Sequence, residues 1–167
     1  MLGIALTFII GLPALNHAAR GENDFRPGEP YVINEALQIV PADGWQLETS
    51  EFFTTFKKNG ASLIPTPPVE KERTGEEWAQ WITETLEGDT TNTWVIGSPQ
   101  TFVTNVGDHG VSVTAHSPTE VSISYYIYTE DLSVSLAGTS PDSAWASVAD
   151  DMDAMAASVQ IIEDGQS

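Results

Sequence analysis

The three histidines are the first residues to consider for chemistry, because imidazole serves both as a metal ligand and as a general base. His17 follows an apolar run, His109 lies in a glycine-flanked turn, and His116 ends a predicted strand. A metal site needs two or three ligands that converge on one point. His109 and His116 stand near opposite ends of one strand, about 20 Å apart at about 3.3 Å per residue. We therefore predict no metal site built on histidine.

The carboxylates Asp150, Asp151 and Asp153 share a predicted helix and could hold a hard cation. No loop with calcium-binding spacing accompanies them, so we interpret the cluster as a solvated acidic face. Serine chemistry needs a nucleophile, a base and an acid, and no Gly-x-Ser-x-Gly sequence occurs. Without cysteine, thiol catalysis and thiolate metal sites are excluded for this chain. We predict no enzyme activity, no cofactor and no catalytic, cofactor-binding or metal-binding residues.

The tryptophans are the remaining candidates, since an exposed tryptophan often anchors a protein interface. Three of them recur at helical spacing on apolar stripes, and two stand near the starts of strands. We assign all of them to the core by default, and a single exposed one would be the best candidate for a partner surface. They are Trp45, Trp78, Trp81, Trp94 and Trp145.

The elements that position these residues are clearest from Glu120 to Ile161. Residues 120–128 alternate apolar and polar side chains, and residues 132–136 repeat the alternation, which predicts an antiparallel hairpin. Ser140, Pro141 and Asp142 then predict a helix start, with an N-cap, a proline and an acid. An apolar stripe follows and predicts one long helix packed on the hairpin. The stripe comprises Trp145, Val148, Met152, Met155 and Val159, with the methionines filling core gaps rather than binding copper.

The preceding part of the chain predicts short strands around one further helix. Strands are expected at 31–34, 36–40, 45–49, 52–57 and 61–64, with a hairpin turn at 58–60. Thr74 and Glu77 predict a capping box, a stripe of Trp78, Trp81, Ile82 and Leu86 follows, and Gly88 ends the helix. The outward face carries Glu76, Glu77, Glu84 and Glu87 without a basic partner in sequence. Strands at 93–96, 101–106 and 111–116 complete an α+β fold, a largely antiparallel sheet packed by two amphipathic helices.

Charge excludes one class of partner. The 167 residues include Asp+Glu 24 against Lys+Arg 6, a formal net charge of −18. Such a surface repels phosphates, so direct binding of DNA or RNA is excluded. Two interpretations of the acidity stay open: solubility or adaptation to salt, and a field that steers the chain toward a basic partner.

The N-terminal residues predict a membrane anchor. Leu2 to Leu15 carry no charge, and with the residues up to Ala19 they approach the ~20 residues of a span. A cleaved secretory signal would need a basic start and small residues at the cleavage site, but the start is not basic and His17 occupies the outer position. We therefore expect an uncleaved transmembrane anchor at 1–19, a linker at 20–30, a domain at 31–163 and a tail at 164–167.

The orientation of that anchor is not settled by charge alone. Arg20 and Arg26 follow the span, and the positive-inside rule would place the domain in the cytoplasm. We expect instead that further basic residues lie upstream of Met1. The predicted location is then the plasma membrane, with a single pass and an extracytoplasmic domain.

The order of elements resembles the PsbP-like fold, an α/β/α sandwich of photosystem extrinsic subunits, a Ran-binding relative and small actinobacterial envelope proteins. The resemblance is carried by the run LQIVPADGW from Leu37 to Trp45, the meander from Thr101, and the closing helix, which is expected to end with AASVQII at Ile162. It covers about Tyr31 to Ile162. Since that family is mostly non-enzymatic, the resemblance implies a binding or accessory module, commonly at the extracytoplasmic face of a membrane assembly.

We therefore expect a non-enzymatic accessory subunit of an integral membrane protein complex, with a respiratory supercomplex as the specific candidate. The photosystem relatives act in energy-transducing complexes, and an acidic module suits a basic electron-carrier surface. The alternative is a free-standing envelope protein that binds a lipid or glycan between sheet and helix, which a pocket lined by polar groups would favour. An enzyme of unknown type is the third hypothesis.

Overall fold

A large antiparallel sheet with a helix on each face organises the chain. The computed structural model describes residues 25–162, so the predicted anchor at 1–19 and the tail at 164–167 lie outside the described residues. No helix within 25–162 combines the length and hydrophobicity needed to cross a bilayer. Phe25, in the predicted linker, packs edge-on against Tyr31 with ring centroids 5.8 Å apart.

The described strands and helices follow the predicted order, with two short strands added. The strands are β1 (Tyr31–Ile33), β2 (Leu37–Ile39), β3 (Gln46–Thr49), β4 (Thr54–Lys58), β5 (Ala61–Pro65), β6 (Val69–Glu70), β7 (Val95–Ile96), β8 (Gln100–Val103), β9 (His109–His116), β10 (Glu120–Tyr128), β11 (Leu132–Pro141) and β12 (Gln160–Ile161). The helices are α1 (Gly75–Glu87), α2 (Asp142–Trp145) and α3 (Ala149–Ala157). The predicted α+β class is confirmed.

The main sheet has the order β3-β4-β5-β11-β10-β9-β7. Beside β7, β8 also pairs with β9, and β6 pairs with β11. The predicted hairpin of β10 and β11 is confirmed, with Tyr125 opposite Leu136. The predicted turn between β4 and β5 is also confirmed, because Asn59 and Gly60 both have positive φ, as a tight two-residue hairpin turn requires. A second sheet of β1, β2 and β12 is also antiparallel.

The first face of the sheet is covered by α3 and the small sheet. The apolar side chains of β10 and β11 that point to this face pack with Val148, Met152 and Met155, all fully buried. Gly138 of β11 permits this contact, since a Cβ there would lie 2.7 Å from Ile123 Cγ2 and 3.1 Å from Met152 Sδ. Burial of these side chains in one continuous core is the main stabilising term for this half of the domain.

The second face is covered by α1. The predicted capping box is present, because the Thr74 hydroxyl accepts from the Glu77 N–H and the Glu77 carboxylate accepts from the Thr74 N–H. Trp78 stacks on Tyr126 of β10 with ring centroids 5.2 Å apart. Ile82 and Leu86 complete the buried stripe over β9. Tyr126, on the polar side of the predicted alternation, is therefore a core residue of this second face.

The helix start predicted at Ser140 is wrong. Ser140 and Pro141 belong to β11, because the ladder with β10 continues until Pro141 lies opposite Glu120. The Ser140 hydroxyl donates to the Pro141 carbonyl, and α2 has no side-chain cap. Strand pairing has overridden the local capping signal.

The single long closing helix is also wrong, because it is interrupted between α2 and α3. The hydroxyl and the backbone N–H of Ser147 both donate to the Ala144 carbonyl, at 2.7 and 2.9 Å, which tightens the turn and ends α2. The predicted helical end at Ile162 is wrong too. The Ser158 hydroxyl donates to the Met155 carbonyl and accepts from the Val40 N–H, and the chain then enters β12.

Candidate binding groove

The two described histidines lie at the two ends of β9, as the spacing predicts. The His109 ring is 6.0 Å from the Tyr128 ring, and the His116 ring lies edge-on to Trp145 at 6.2 Å. Both side chains are exposed and face different aromatic neighbours. Among residues 25–162, no three histidine, aspartate or glutamate side chains are grouped to hold a metal ion.

Asp151 is a structural residue rather than part of a solvated acidic face, which corrects the sequence-based interpretation. Its Oδ2 atom accepts from Trp45 Nε1 at 2.9 Å and from Lys58 Nζ at 2.7 Å. Burial alone would raise the pKa of Asp151, but these two hydrogen bonds and the Lys58 charge outweigh it and hold that pKa below its ordinary value. The carboxylate therefore joins α3 to β4 and to the buried indole.

Asp153 also bonds to the sheet. Its Oδ1 atom accepts from the Tyr125 hydroxyl at 2.7 Å. Burial of Tyr125, reinforced by the Asp153 charge and this hydrogen bond, raises the pKa of the tyrosine well above its ordinary value. Asp150 and Asp153 are both exposed, and no group within residues 25–162 donates a hydrogen bond to the Asp150 carboxylate. The three carboxylates are not grouped to hold a cation.

The tryptophans divide into buried and half-buried. Trp45 and Trp78 are core residues, as expected. Trp81, Trp94 and Trp145 are half-buried, so Trp145 does not lie on a fully buried stripe. The Arg73 guanidinium lies over the Trp81 ring at 5.0 Å, and Trp94 Nε1 donates to Asp89 at 2.9 Å. None of the five tryptophans is classed as exposed, so none meets the condition set for a partner-surface candidate.

A groove of about 570 Å³ lies between α1 and the edge of the main sheet. We call it the α1–β8 groove. One wall is the outward face of α1, with Glu76, Gln80, Glu84 and Glu87. The floor and the other wall come from the sheet, with Pro99, Thr101, Val111 and Tyr128.

The groove exists because α1 covers only part of its face of the sheet. The buried stripe of α1 packs on β9 and β10 and leaves β8, the next strand outward, uncovered. Gly75 brings the start of α1 close to the sheet, since a Cβ there would lie 2.9 Å from the Tyr128 hydroxyl. The groove is the space between the side of α1 and the uncovered strand β8.

The lining of the groove is acidic. Glu76, Glu84 and Glu87 face it, and within residues 25–162 none of the three forms a salt bridge. Gln80 Nε2 donates to Glu84 at 2.9 Å, which orients that carboxylate. Lys71, near one end, is held over the Tyr128 ring and donates to the Thr129 carbonyl. The groove is therefore suited to a cationic ligand.

Part of this site was visible in the sequence. The sequence places the glutamates on the outward face of α1 and shows that they have no basic partner nearby along the chain. Pro99, Thr101 and Val111 were not assigned to any site, because only the pairing of β8 with β9 brings them opposite α1. The uncompensated glutamate repeat opposite the tryptophan stripe was the available signal.

Comparison with known proteins defines the fold. No family model and no curated protein matches the chain. The solution structure of cyanobacterial PsbP (CyanoP) from Synechocystis sp. PCC 6803 matches with a TM-score of 0.57 at 10% identity, covering 86% of this chain and 98% of that one. LpqN of Mycobacterium tuberculosis, described as involved in cell envelope biogenesis, matches with a TM-score of 0.57 at 9% identity, covering 84% and 88%.

A Mog1 mutant matches with a TM-score of 0.54 at 14% identity, covering 81% of this chain and 96% of that one. Sequence identities this low establish the fold and leave activity open. The resemblance predicted from the sequence is confirmed at this level. The chain has a PsbP-like fold.

Proposed function

We propose that the chain is a non-enzymatic accessory protein of the cell envelope that docks its α1–β8 groove on a basic surface of a larger membrane complex. The observation that carries the proposal is the groove with three carboxylates that have no cationic partner among the described residues. Unpaired charges of one sign in a concave site steer an oppositely charged partner and fix its orientation. The LpqN likeness supports an envelope location by analogy.

The finer proposal is that residues Leu2 to Ala19 anchor the protein in the plasma membrane and that the partner is a respiratory complex. The apolar, nearly uncharged N-terminal run supports the anchor. The formal charge of −18 supports docking beside a basic electron carrier. The anchor and the groove would then both bind the same complex. Once one of them is bound, the other meets its site at a high effective concentration.

Co-migration with the membrane complex tests this function. The tagged full chain, extracted in a mild non-ionic detergent, should migrate with a large assembly on a sucrose gradient at low salt. The variant E76Q/E84Q/E87Q should lose the salt-sensitive part of this association, because its carboxylates no longer attract the partner. The matched control E51Q/E72Q/E130Q removes the same number of charges from exposed positions outside the groove and should migrate as the wild type does.

A chain that starts at Gly21 separates the two contacts. It should bind the solubilised complex only at low salt, whereas the full chain should stay bound through a high-salt wash. Full-length protein that migrates alone at low salt would overturn the accessory role. Equal loss in both glutamine variants would show that net charge, rather than the groove, carries the binding.

A second candidate, binding of a neutral lipid or glycan, is favoured by the mixed lining of the same groove. Gln80, Thr83 and Thr101 offer hydrogen bonds, and Pro99 and Tyr128 offer apolar surface. The volume falls within the range of about 300–1,000 Å³ of small-molecule sites. Native mass spectrometry of the purified chain decides between the two, because a bound lipid or glycan would appear as a discrete added mass that a Thr101→Trp variant should lose.

A further inference from the structure

We propose that the α1–β8 groove binds an extended basic segment of the partner, which adds to the main sheet as a strand beside β8. This inference rests on the proposed function and specifies the chemistry of the partner. It joins two observations: an edge strand with outward backbone groups, and a row of glutamates above it. A strand-forming segment with a basic residue at every second position satisfies both.

The first observation is the free edge of β8. In an antiparallel pair, alternate residues direct their N–H and C=O groups toward the neighbouring strand. The Thr104 N–H donates to the Asp108 carbonyl at 2.9 Å, which places Phe102 among the residues directed toward β9. Thr101 and Val103 therefore direct their backbone groups outward, and no other strand among residues 25–162 pairs with that side.

The edge also exposes apolar side chains. Val103 is 58% exposed, and Val106, just beyond the end of β8, is 52% exposed. Thr101 and Val103 alternate with Phe102, which lies edge-on to Tyr125 on the opposite face of the sheet. A segment paired with β8 would bury apolar surface on Val103 in addition to forming backbone hydrogen bonds, which is the usual mode of strand addition.

The second observation is the spacing on α1. Glu76, Gln80 and Glu84 recur every four residues, which is about 6 Å along a helix. Alternate side chains of a strand are about 6.6–6.8 Å apart. The polar side chains of α1 thus repeat at nearly the same interval as the side chains on one face of an added strand. Basic side chains at alternate positions can each meet an acceptor of the helix wall.

A β-bulge limits the length of the added strand. Ile96 lies opposite Ala115 and Gln100 opposite Ser112, so three residues of the edge face two residues of β9. The extra residue falls near Pro99, which has no N–H to offer. The usable edge is therefore the four residues of β8. The high negative charge disfavours a second copy of this chain as the occupant.

A pair of peptides tests whether binding requires a basic residue at every second position. The probe is fluorescein-labelled Lys-Thr-Lys-Val-Lys-Thr-Lys, and its control, Lys-Lys-Thr-Val-Thr-Lys-Lys, has the same composition and charge. Fluorescence anisotropy with the full chain in non-ionic detergent should give at least about tenfold tighter binding for the alternating peptide. Equal affinities would overturn the inference, because charge alone would then explain the binding.

Methylation of the peptide's backbone nitrogens tests whether the peptide forms backbone hydrogen bonds with the edge of β8, without any change to the protein. Methyl groups on alternate peptide nitrogens block one side of the added strand, so two peptides methylated on opposite sides are compared. One should lose at least about tenfold in affinity and the other should bind nearly as the parent does. Equal loss or equal retention would overturn strand addition.

The variant E76Q/E84Q/E87Q should bind the parent peptide at least about tenfold more weakly, whereas E51Q/E72Q/E130Q should change the affinity less than about twofold. If the peptide experiments fail while E76Q/E84Q/E87Q still loses the membrane complex, strand addition is wrong and the proposed function stands. If the glutamine variant also keeps the complex, both are wrong.

Discussion

The two helix-covered faces of the main sheet differ in how the carboxylates along their helices are used. On the α3 face, Asp151 and Asp153 accept hydrogen bonds from Lys58, Trp45 and Tyr125, so each carboxylate joins the helix to the sheet. On the α1 face, two carboxylates at the ends of the helix have structural roles: Glu77 completes the capping box, and Asp89 accepts from Trp94 Nε1 at 2.9 Å. Glu76, Glu84 and Glu87 instead line an open groove and form no salt bridge within residues 25–162.

This difference separates charge that stabilises the fold from charge available for binding. A chain with few basic residues must distribute them, and Lys58 is placed where α3 meets β4. The α3 face is also closed by the small sheet, whereas α1 leaves β8 uncovered. The α3 face should therefore respond to mutation mainly in stability, and the α1–β8 groove mainly in association.

The largest expected effect is on the closed face. Trp45→Ala removes a side chain that is 1% exposed, together with a hydrogen bond to Asp151. The free energy of unfolding should fall by ~3–5 kcal/mol, as for other large core deletions. Denaturant unfolding followed by circular dichroism measures it. Trp145→Ala is the matched control and should cost roughly half as much, because that ring is only half-buried. Equal losses of stability would contradict the distinction between the buried Trp45 and the half-buried Trp145.

A smaller effect is expected where α3 approaches the sheet most closely. Gly138→Ala places a methyl group 2.7 Å from Ile123 Cγ2. Because the core must shift to accept it, the variant should lose ~1–3 kcal/mol of stability. Thermal unfolding checks this expectation, and an unchanged melting temperature would show that the contact relaxes without cost.

The carboxylate of Asp151 should make stability depend on pH. Asp151→Asn should cost ~1–2 kcal/mol near neutral pH, because a hydrogen bond to a charged group is weakened. A lowered folded-state pKa means that the stabilisation is present above the ordinary value of 3.8 and is lost as the pH falls through the folded-state pKa. The difference in unfolding free energy between wild type and variant should therefore close below pH 3.8. A difference that persists there would assign the effect to shape rather than charge.

The smallest effect on stability is expected at the groove. E76Q/E84Q/E87Q should change the free energy of unfolding by no more than ~0.5 kcal/mol, since no salt bridge of the described residues is lost and an amide oxygen at position 84 can still accept the exposed Gln80 hydrogen bond. The same denaturation experiment with D151N/D153N is the comparison and should show a clear loss. Similar losses in both variants would mean that the helix-wall glutamates also support the fold.

Local patterns were sufficient for most of the fold. The alternation in β10 and the capping box of α1 predicted those elements correctly, because both signals lie within a few consecutive residues. The start predicted at Ser140 failed because pairing with β10 decides where β11 ends, and that partner is distant in sequence. The local sequence does not show whether the helix-start signal or the pairing with β10 is the stronger.

The same reasoning explains the misassigned carboxylates. Nothing near Asp151 in the sequence indicates Lys58 or Trp45, which lie 93 and 106 residues away. The glutamates of α1 were correctly placed on an outward face, but their groove depends on β8 pairing with β9. Charge and periodicity thus identify the α1 wall of the groove, whereas the wall formed by the sheet can be seen only in the tertiary structure.

The pairing of β12 with β2 has a consequence for the timing of folding. The Val40 N–H donates to the Ser158 hydroxyl across 118 residues, and Ile162 bonds back to Ala36. During synthesis, the first hairpin must wait until almost all of the domain has left the ribosome before its sheet is complete. Contacts this distant in sequence are associated with slow folding. We therefore expect the emerging chain to remain without its final strand for much of translation, when chaperones can still engage it.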